Sequence, residues 1–163
     1  MMRTLLALSL LLLAPLLHAN GPLPFAKPRP GLHTGGQPSA EQLATAAANG
    51  VRTVIDLRGA DEARGYDEPA EAHRLGLAYV TLPVAGGEDI TVANAHALQL
   101  LLADTEGPVL LHCASGNRVG ALLALVAAED GAGADAALEL GREAGLGSLA
   151  PAVERLLQSR EQP

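Results

Sequence analysis

The stretch Val109 to Val126, VLLHCASGNRVGALLALV, limits the possible folds of this 163-residue chain more than any other stretch. It begins with a continuous apolar run, which is typical of a strand covered on both faces of a parallel sheet. The residues from Val119 to Ala128 are apolar nearly all round, which predicts a helix buried at the centre of a domain. A buried strand, a polar turn and a buried helix in succession indicate an α/β domain.

Strand and helix patterns alternate along most of the chain. Strands are predicted from Leu32 in LHTGG and at Val51–Leu57, Ala78–Val84 and Pro108–Cys113. Besides the buried helix, helices are predicted from Ser39 to about Ala48, at Asp67–Leu75, from Thr91 to about Ala103, at Ala134–Ala144 and at Ser148–Ser159. The expected fold is therefore an α/β domain with a mostly parallel central sheet of about four strands flanked by helices.

The first 31 residues are expected to lie outside this domain. Residues 1–19 combine a basic start, an apolar run from Leu5 to Leu17 and a small residue, Ala19, at a cleavage position, which predicts a secretory signal peptide. Residues 20–31 carry four prolines and predict an extended linker, so the domain is expected to span 32–163. We expect a periplasmic or secreted protein with no stable membrane insertion after cleavage, and an uncleaved N-terminal anchor is the alternative.

Charge and composition exclude several classes of function. The net charge is −7 and no basic run stands out, so nucleic acid is not an expected partner. His33, His73 and His96 lack the spacing of metal ligands, and we predict neither a metal nor a cofactor. The chain has one cysteine, which cannot form an internal disulfide, so Cys113 is either a packed small side chain or a reactive one.

The loop from Cys113 to Arg118 combines a nucleophile with groups that bind anions. Open α/β sheets bind ligands at the carboxyl ends of their strands, which is where this loop is predicted to lie. The first turn of a helix presents unpaired N–H groups and a positive dipole end, and the small residues of the loop let the backbone wrap around an anion. Arg118 adds a guanidinium that can hold two oxygens at once, and the same field favours the thiolate form of the cysteine.

These residues resemble a known superfamily. HCASGNRVGA is similar to the signature loop of cysteine-dependent phosphatases of the tyrosine and dual-specificity type. The order of GGQPSAEQL, GVRTVIDLR, LGLAYVTLPV and this loop resembles, more narrowly, a bacterial phosphatase-like domain related to beta-lactamase-hydrolase-like proteins. The resemblance covers about Leu32 to Gly145 and implies a substrate that is a phosphorylated small molecule or a phosphoprotein.

The resemblance implies a role for each residue of the loop. Cys113 would attack phosphorus and form a phosphocysteine that water releases. The phosphoryl oxygens would be held by the amides of Ala114, Ser115, Gly116, Asn117 and Arg118, together with the Arg118 side chain. An acid on a neighbouring loop would protonate the leaving alcohol; Asp89 is the candidate and Glu88 the reserve, although Asp89 could equally be a charge that precedes the helix capped by Thr91.

Two departures from the phosphatase pattern leave alternatives open. Four residues separate the cysteine and the arginine, where the usual loop has five, and so short a loop also resembles rhodanese-like sulfurtransferases that carry a persulfide on the cysteine. Val119 stands where phosphatases commonly have Ser or Thr, which would slow hydrolysis of the intermediate and keeps a non-catalytic phosphate-binding module among the hypotheses.

Two more residues are candidates for the same pocket. His112 is expected to hold the loop or the sulfur by hydrogen bonding rather than to shuttle protons. Arg58, at the end of the second predicted strand, either lines the pocket or forms a surface ion pair with Asp56 or Asp61, which would contribute little to stability.

Overall fold

The computed structural model describes residues 22–161, so the predicted signal peptide, 1–19, lies outside the described residues. The strands are β1 (Ala26–Arg29), β2 (Leu32–Gly35), β3 (Thr53–Asp56), β4 (Ala78–Thr81) and β5 (Val109–His112). The helices are α1 (Ala40–Ala48), α2 (Glu68–Arg74), α3 (Val92–Asp104), α4 (Asn117–Glu129), α5 (Ala134–Glu143) and α6 (Ala150–Glu161), with a 3₁₀ turn at Gly87–Asp89.

The five strands form one mixed sheet in the order β1-β2-β5-β3-β4. Strands β2 to β5 are mutually parallel, as expected for strands joined by helices, and β1 pairs antiparallel with β2. The predicted α/β fold with a mostly parallel sheet is confirmed, with five strands in place of about four.

The additional strand lies inside the segment that was predicted to be a linker. The prolines argue against a sheet because proline cannot donate to a ladder. Strand β1 lies at the edge of the sheet, where only one side must pair, so Pro28 is accommodated between the register pairs Ala26–Thr34 and Arg29–Leu32. The linker prediction is therefore wrong for Ala26–Arg29, and the folded domain begins before Leu32.

Neighbouring residues of a strand point to opposite faces of the sheet, and helices pack on both faces. Leu110 belongs to a core with residues of α1 and α2, whereas Leu111 belongs to the larger core that includes α3 to α6. Helix α4 is buried from Arg118 to Val126, which confirms the prediction of a central buried helix. None of the helices within residues 22–161 is long and apolar enough to cross a bilayer.

Register brings the ends of the strands to one edge of the sheet. Gly35 and Asp56 each lie opposite His112, and Thr81 lies opposite Asp56. The loops that follow β2, β3, β4 and β5 therefore leave the sheet side by side, and the predicted site lies among them.

Candidate active site

Cys113 directly follows β5 and is fully buried. Its Sγ accepts a hydrogen bond from the backbone N–H of Gly116 at 3.1 Å. Gly116 precedes the first residue of α4 and has a φ of +91°, a conformation that favours glycine. The turn therefore folds the sulfur back against the N-terminus of a buried helix, where unpaired N–H groups and the helix dipole stabilise negative charge.

The loop after β2 supports the cysteine loop from one side. Gly36 forms a β-bridge with Ser115, and the backbone N–H of Gln37 donates to the carbonyl of Ala114 at 3.3 Å. A Cβ on Gly36 would lie 3.0 Å from that same carbonyl, so the approach of the two loops requires a small residue. The backbone of the predicted phosphate cradle is thus held by neighbouring backbone, while the Ala114 and Ser115 side chains are exposed.

Arg118 extends from the first turn of α4 across the site. Its Nη1 donates to the carbonyl of Val84 at 2.6 Å and to Oε1 of Glu62 at 2.6 Å, and its Nη2 donates to Oε2 of Glu62 at 2.6 Å. The hydrogen bond with Glu62 raises the pKa of Arg118 against the effect of burial, which lowers it. The same hydrogen bond lowers the pKa of Glu62 below its usual value. A carboxylate thus occupies the two donors that the sequence assigns to phosphate.

Asp89 and Glu88 lie in the 3₁₀ turn after β4. Asp89 accepts the backbone N–H of Ala85 on Oδ2 at 2.7 Å, and its carbonyl accepts Nδ2 of Asn94 at 2.7 Å, while the Glu88 side chain is exposed. The hydrogen bond from Arg118 to Val84 ties the beginning of this loop to the cysteine loop. The structure therefore brings the loop of the predicted acid to the site and shows the Asp89 carboxylate holding the loop's own backbone.

Asn117, predicted to bind phosphate through its amide, uses its side chain elsewhere. Its Oδ1 accepts the backbone N–H of Gly147 at 2.8 Å and that of Leu149 at 3.3 Å, and its Nδ2 donates to Ser148 Oγ at 2.8 Å. The Asn117 side chain therefore anchors the segment between α5 and α6 next to the cysteine loop.

Residues 26–143 match the family described as a DSP-PTPase phosphatase fused to NAD+ kinase. The chain belongs to this family. A beta-lactamase hydrolase-like protein of Xylella fastidiosa is 43% identical over 104 residues, which are 61% of this chain and 24% of that protein. A protein of the same description from Agrobacterium fabrum is 35% identical over a segment that also covers 24% of its length, so the chain spans about a quarter of these relatives. The resemblance to cysteine-dependent phosphatases is confirmed.

Solved structures show the same fold. A Neisseria meningitidis protein described as a candidate phosphatase aligns with a TM-score of 0.72 at 23% identity, over 83% of this chain and 98% of that chain. TpbA of P. aeruginosa aligns with a TM-score of 0.59 at 26% identity, over 79% of this chain and 80% of that chain. A second TpbA structure, of a cysteine-to-serine variant, is a complex with phosphotyrosine.

In this member of the family, Arg58 lies beneath the site rather than in it. Its side chain is fully buried; Nε donates to Oδ1 of Asp56 at 2.9 Å and Nη2 to Oδ2 at 3.0 Å, and Nη2 also contacts Glu68. The predicted pairing of Arg58 with Asp56 is confirmed, but the pair is fully buried and does not lie at the surface as expected. Burial raises the pKa of Asp56, but hydrogen bonds from Arg58 and Tyr79 outweigh it and lower this pKa to about 2.

His112 joins this buried cluster to the cysteine loop. Its Nδ1 lies 3.4 Å from the carbonyl oxygen of Cys113, and its Nε2 lies 2.9 Å from Oε1 of Glu68. The ring lies under the backbone of the loop, in agreement with the expected hydrogen-bonding role.

Sequence reasoning missed two acidic residues of the site, Glu62 and Glu68. Both follow β3 in the charge-dense stretch DLRGADEARGYDE. The available signal was the position of this stretch: it follows a parallel strand, so its charges lie at the same edge of the sheet as the cysteine loop. What the sequence could not indicate was which carboxylate would meet Arg118 and which would meet His112.

Proposed function

We propose that this chain is a cysteine-dependent phosphatase that cleaves a phosphomonoester through a phosphocysteine on Cys113. The observation that carries the proposal is the arrangement of three groups at one helix N-terminus: the buried sulfur, the Gly116 N–H that donates to it, and the Arg118 guanidinium across the loop. Placing a nucleophile within the groups that bind its target favours phosphoryl transfer, because positioning and charge stabilisation supply most of the catalysis in such reactions.

The proposed reaction has two steps. The thiolate of Cys113 attacks phosphorus, a sulfur–phosphorus bond forms, and the bond from phosphorus to the ester oxygen breaks while the acid gives its proton to the leaving alcohol. Water then attacks phosphorus, loses a proton to the same carboxylate, and releases inorganic phosphate and the thiolate. Asp89 is the proposed acid, with Glu88 as the reserve. In both steps, Arg118 releases the Glu62 carboxylate and binds the phosphoryl oxygens instead.

The test uses the purified protein with p-nitrophenyl phosphate as the probe. The wild type is expected to release phosphate, vanadate to inhibit the release, and Cys113→Ser to abolish it. Ser115→Ala is the matched control in the same loop, because its exposed hydroxyl makes no contact that the mechanism uses. Equal trace rates for the wild type and Cys113→Ser would refute the proposal. Transfer of sulfur from thiosulfate to cyanide without phosphate release would establish the rhodanese-like alternative instead.

The substrate is proposed to be a phosphorylated small molecule or a phosphoprotein. TpbA, a structural relative, binds phosphotyrosine, which supports aryl phosphates as the first compounds to test. Comparing phosphate release from free phosphotyrosine, a phosphotyrosine peptide and an alkyl phosphate would separate these classes. Equal kcat/KM values for these three substrates would show that the site recognises only the phosphoryl group.

We propose, on the pattern of residues 1–19, that the protein is exported to the periplasm or secreted. Fractionation of cells that express the full chain is expected to recover it outside the cytoplasm with a new N-terminus at Asn20. A cytoplasmic protein that retains Met1, or a membrane-bound one that retains the leader, would refute this proposal.

A further inference from the structure

The α5–α6 segment, residues 145–149, bridges two loops of the site. At its start the segment approaches the cysteine loop, because a Cβ on Gly145 would lie 3.1 Å from the carbonyl oxygen of Gly116. At its end the Leu149 side chain packs on the loop after β4, where a Cβ on Gly87 would lie 3.3 Å from Leu149 Cδ2. One short segment therefore contacts both the loop of the nucleophile and the loop of the proposed acid.

Asn117 fixes the α5–α6 segment to the cysteine loop. Its Oδ1 accepts the backbone N–H of Gly147 at 2.8 Å and that of Leu149 at 3.3 Å, and its Nδ2 donates to Ser148 Oγ at 2.8 Å. Asn117 is also the first residue of the buried helix α4, so these hydrogen bonds start from a fixed part of the core. The position of the Leu149 main chain is thus set from within the cysteine loop.

The acid loop, residues 84–90, is tied to its surroundings at both ends. Arg118 Nη1 donates to the carbonyl of Val84 at the start of the loop, and Asn94 Nδ2 donates to the carbonyl of Asp89 near its end, at 2.7 Å. Neither hydrogen bond involves the first residue of the 3₁₀ turn, and this is where the α5–α6 segment packs. The segment therefore supports the turn at a point that the two hydrogen bonds do not reach.

We propose that Leu149 is a positioning residue for the general acid, and that Asn117 acts on the acid through Leu149. Leu149 is partly buried against the larger core, so its contact with the turn is a fixed one. A general acid must lie within hydrogen-bond reach of the leaving oxygen, and a displacement of about 1 Å can slow a reaction by about 10²-fold. The consequence for catalysis rests on the proposed function, whereas the link between the two loops does not.

The first test measures the link by amide hydrogen exchange. The N–H groups of Ala85, Asp89 and Ile90 all donate to acceptors inside the acid loop, so their exchange reports on its opening. In Leu149→Ala we expect these three amides to exchange about fivefold faster, which corresponds to about 1 kcal/mol of local stability. Leu156→Ala is the matched control, because Leu156 is a partly buried leucine of α6 that packs on the same core. Its three amides are expected to exchange as in the wild type.

The second test measures the effect on proton donation. Leu149→Ala is expected to lower kcat for an alkyl phosphate by about tenfold, and kcat for p-nitrophenyl phosphate by less than about twofold, because nitrophenolate leaves without a proton. The Kd for inorganic phosphate is expected to stay unchanged, since the cysteine loop and Arg118 are intact. Leu149→Met keeps an apolar side chain against the turn and is expected to restore kcat for the alkyl phosphate.

The third test asks whether Asn117 acts through Leu149. Asn117→Ala is expected to speed exchange of the same amides, and the double variant with Leu149→Ala is expected to resemble Leu149→Ala alone, because both changes remove one contact. Ser148→Ala leaves both hydrogen bonds of Asn117 Oδ1 in place and is expected to match the wild type. Additive effects in the double variant would overturn the role given to Asn117.

Three results would overturn the role given to Leu149. One is a folded Leu149→Ala with unchanged exchange in the acid loop. Another is an equal loss of kcat for the alkyl and the nitrophenyl phosphate, which would indicate a structural role without any effect on the acid. The third is a wild type with no nuclear Overhauser effect between the Leu149 methyl groups and the α protons of Gly87, and it applies even if the variants fail to fold. A wild type that releases no phosphate would refute the proposed function, and the exchange measurements would still test the link.

Discussion

Replacing Glu62 with glutamine is expected to tighten the binding of inorganic phosphate. Glu62 holds two nitrogens of Arg118 at 2.6 Å, and the two side chains are 31% and 11% exposed. Phosphate must displace this carboxylate to reach the guanidinium. An ion pair exposed to this degree contributes about 1 kcal/mol, because water screens it. Removing the charge is therefore expected to lower the Kd for phosphate about fivefold, since 1 kcal/mol corresponds to that factor.

Isothermal titration calorimetry of the wild type and Glu62→Gln with phosphate measures this change, and Asp61→Asn, an exposed neighbour, is the matched control. The pKa of Glu62 is lowered from 4.5, so this carboxylate is ionised throughout pH 5 to 8. Protonation of Glu62 is accordingly not expected to change the ratio of the two Kd values over that range. Weaker binding by Glu62→Gln would refute the reasoning, because it would mean that Glu62 positions Arg118 for phosphate rather than competing with it.

Three other changes test the acid, the packing and the buried cluster. Asp89→Asn is expected to lower kcat for an alkyl phosphate by about 10²-fold or more, and to lower kcat for p-nitrophenyl phosphate by a smaller factor. Glu88→Gln is expected to leave kcat unchanged for both substrates. The reverse result would make Glu88 the acid. Gly120→Ala is expected to lower the free energy of unfolding, measured in urea, by about 3 kcal/mol, because the added Cβ would lie 2.1 Å from the backbone nitrogen of Leu146, after α5. Gly133→Ala, with nothing within 4 Å, should cost less than about 1 kcal/mol, and equal costs would contradict the packing argument. Because the pKa of Asp56 falls from 3.8 to about 2 on folding, its stabilisation is complete above pH 3.8 and is lost as the pH falls toward 2. Asp56→Asn removes this charge and should lower the free energy of unfolding by about 3 kcal/mol or more at pH 7. A decrease below about 1 kcal/mol would contradict the buried pairing.

Elements with a local signal were predictable. The Ser39 side chain accepts the N–H of Gln42 and the Gln42 side chain accepts the N–H of Ser39, so the capping box predicted for α1 is present. Thr91 accepts the N–H of Asn94 at the start of α3, which confirms the predicted cap. Such signals depend on neighbours three or four residues apart, and they act before any tertiary contact forms.

Strand β1 had no such signal. Its four residues include a proline, and the ladder that orders them is provided by β2 across a turn. The prolines of the segment are compatible with an extended chain in either setting, so local propensity could not distinguish a linker from an edge strand.

The order of residues from Cys113 to Arg118 determined, by itself, that a nucleophile and an anion-binding turn occur together, because strand, turn and helix adjoin in the chain. Only the tertiary structure decided what surrounds them. Glu62 reaches Arg118 from 56 positions away, and Glu68 of α2 contacts His112 of β5. The physical reason is that a charge binds whichever opposite charge the fold brings within contact, and parallel register places the ends of distant strands at one edge.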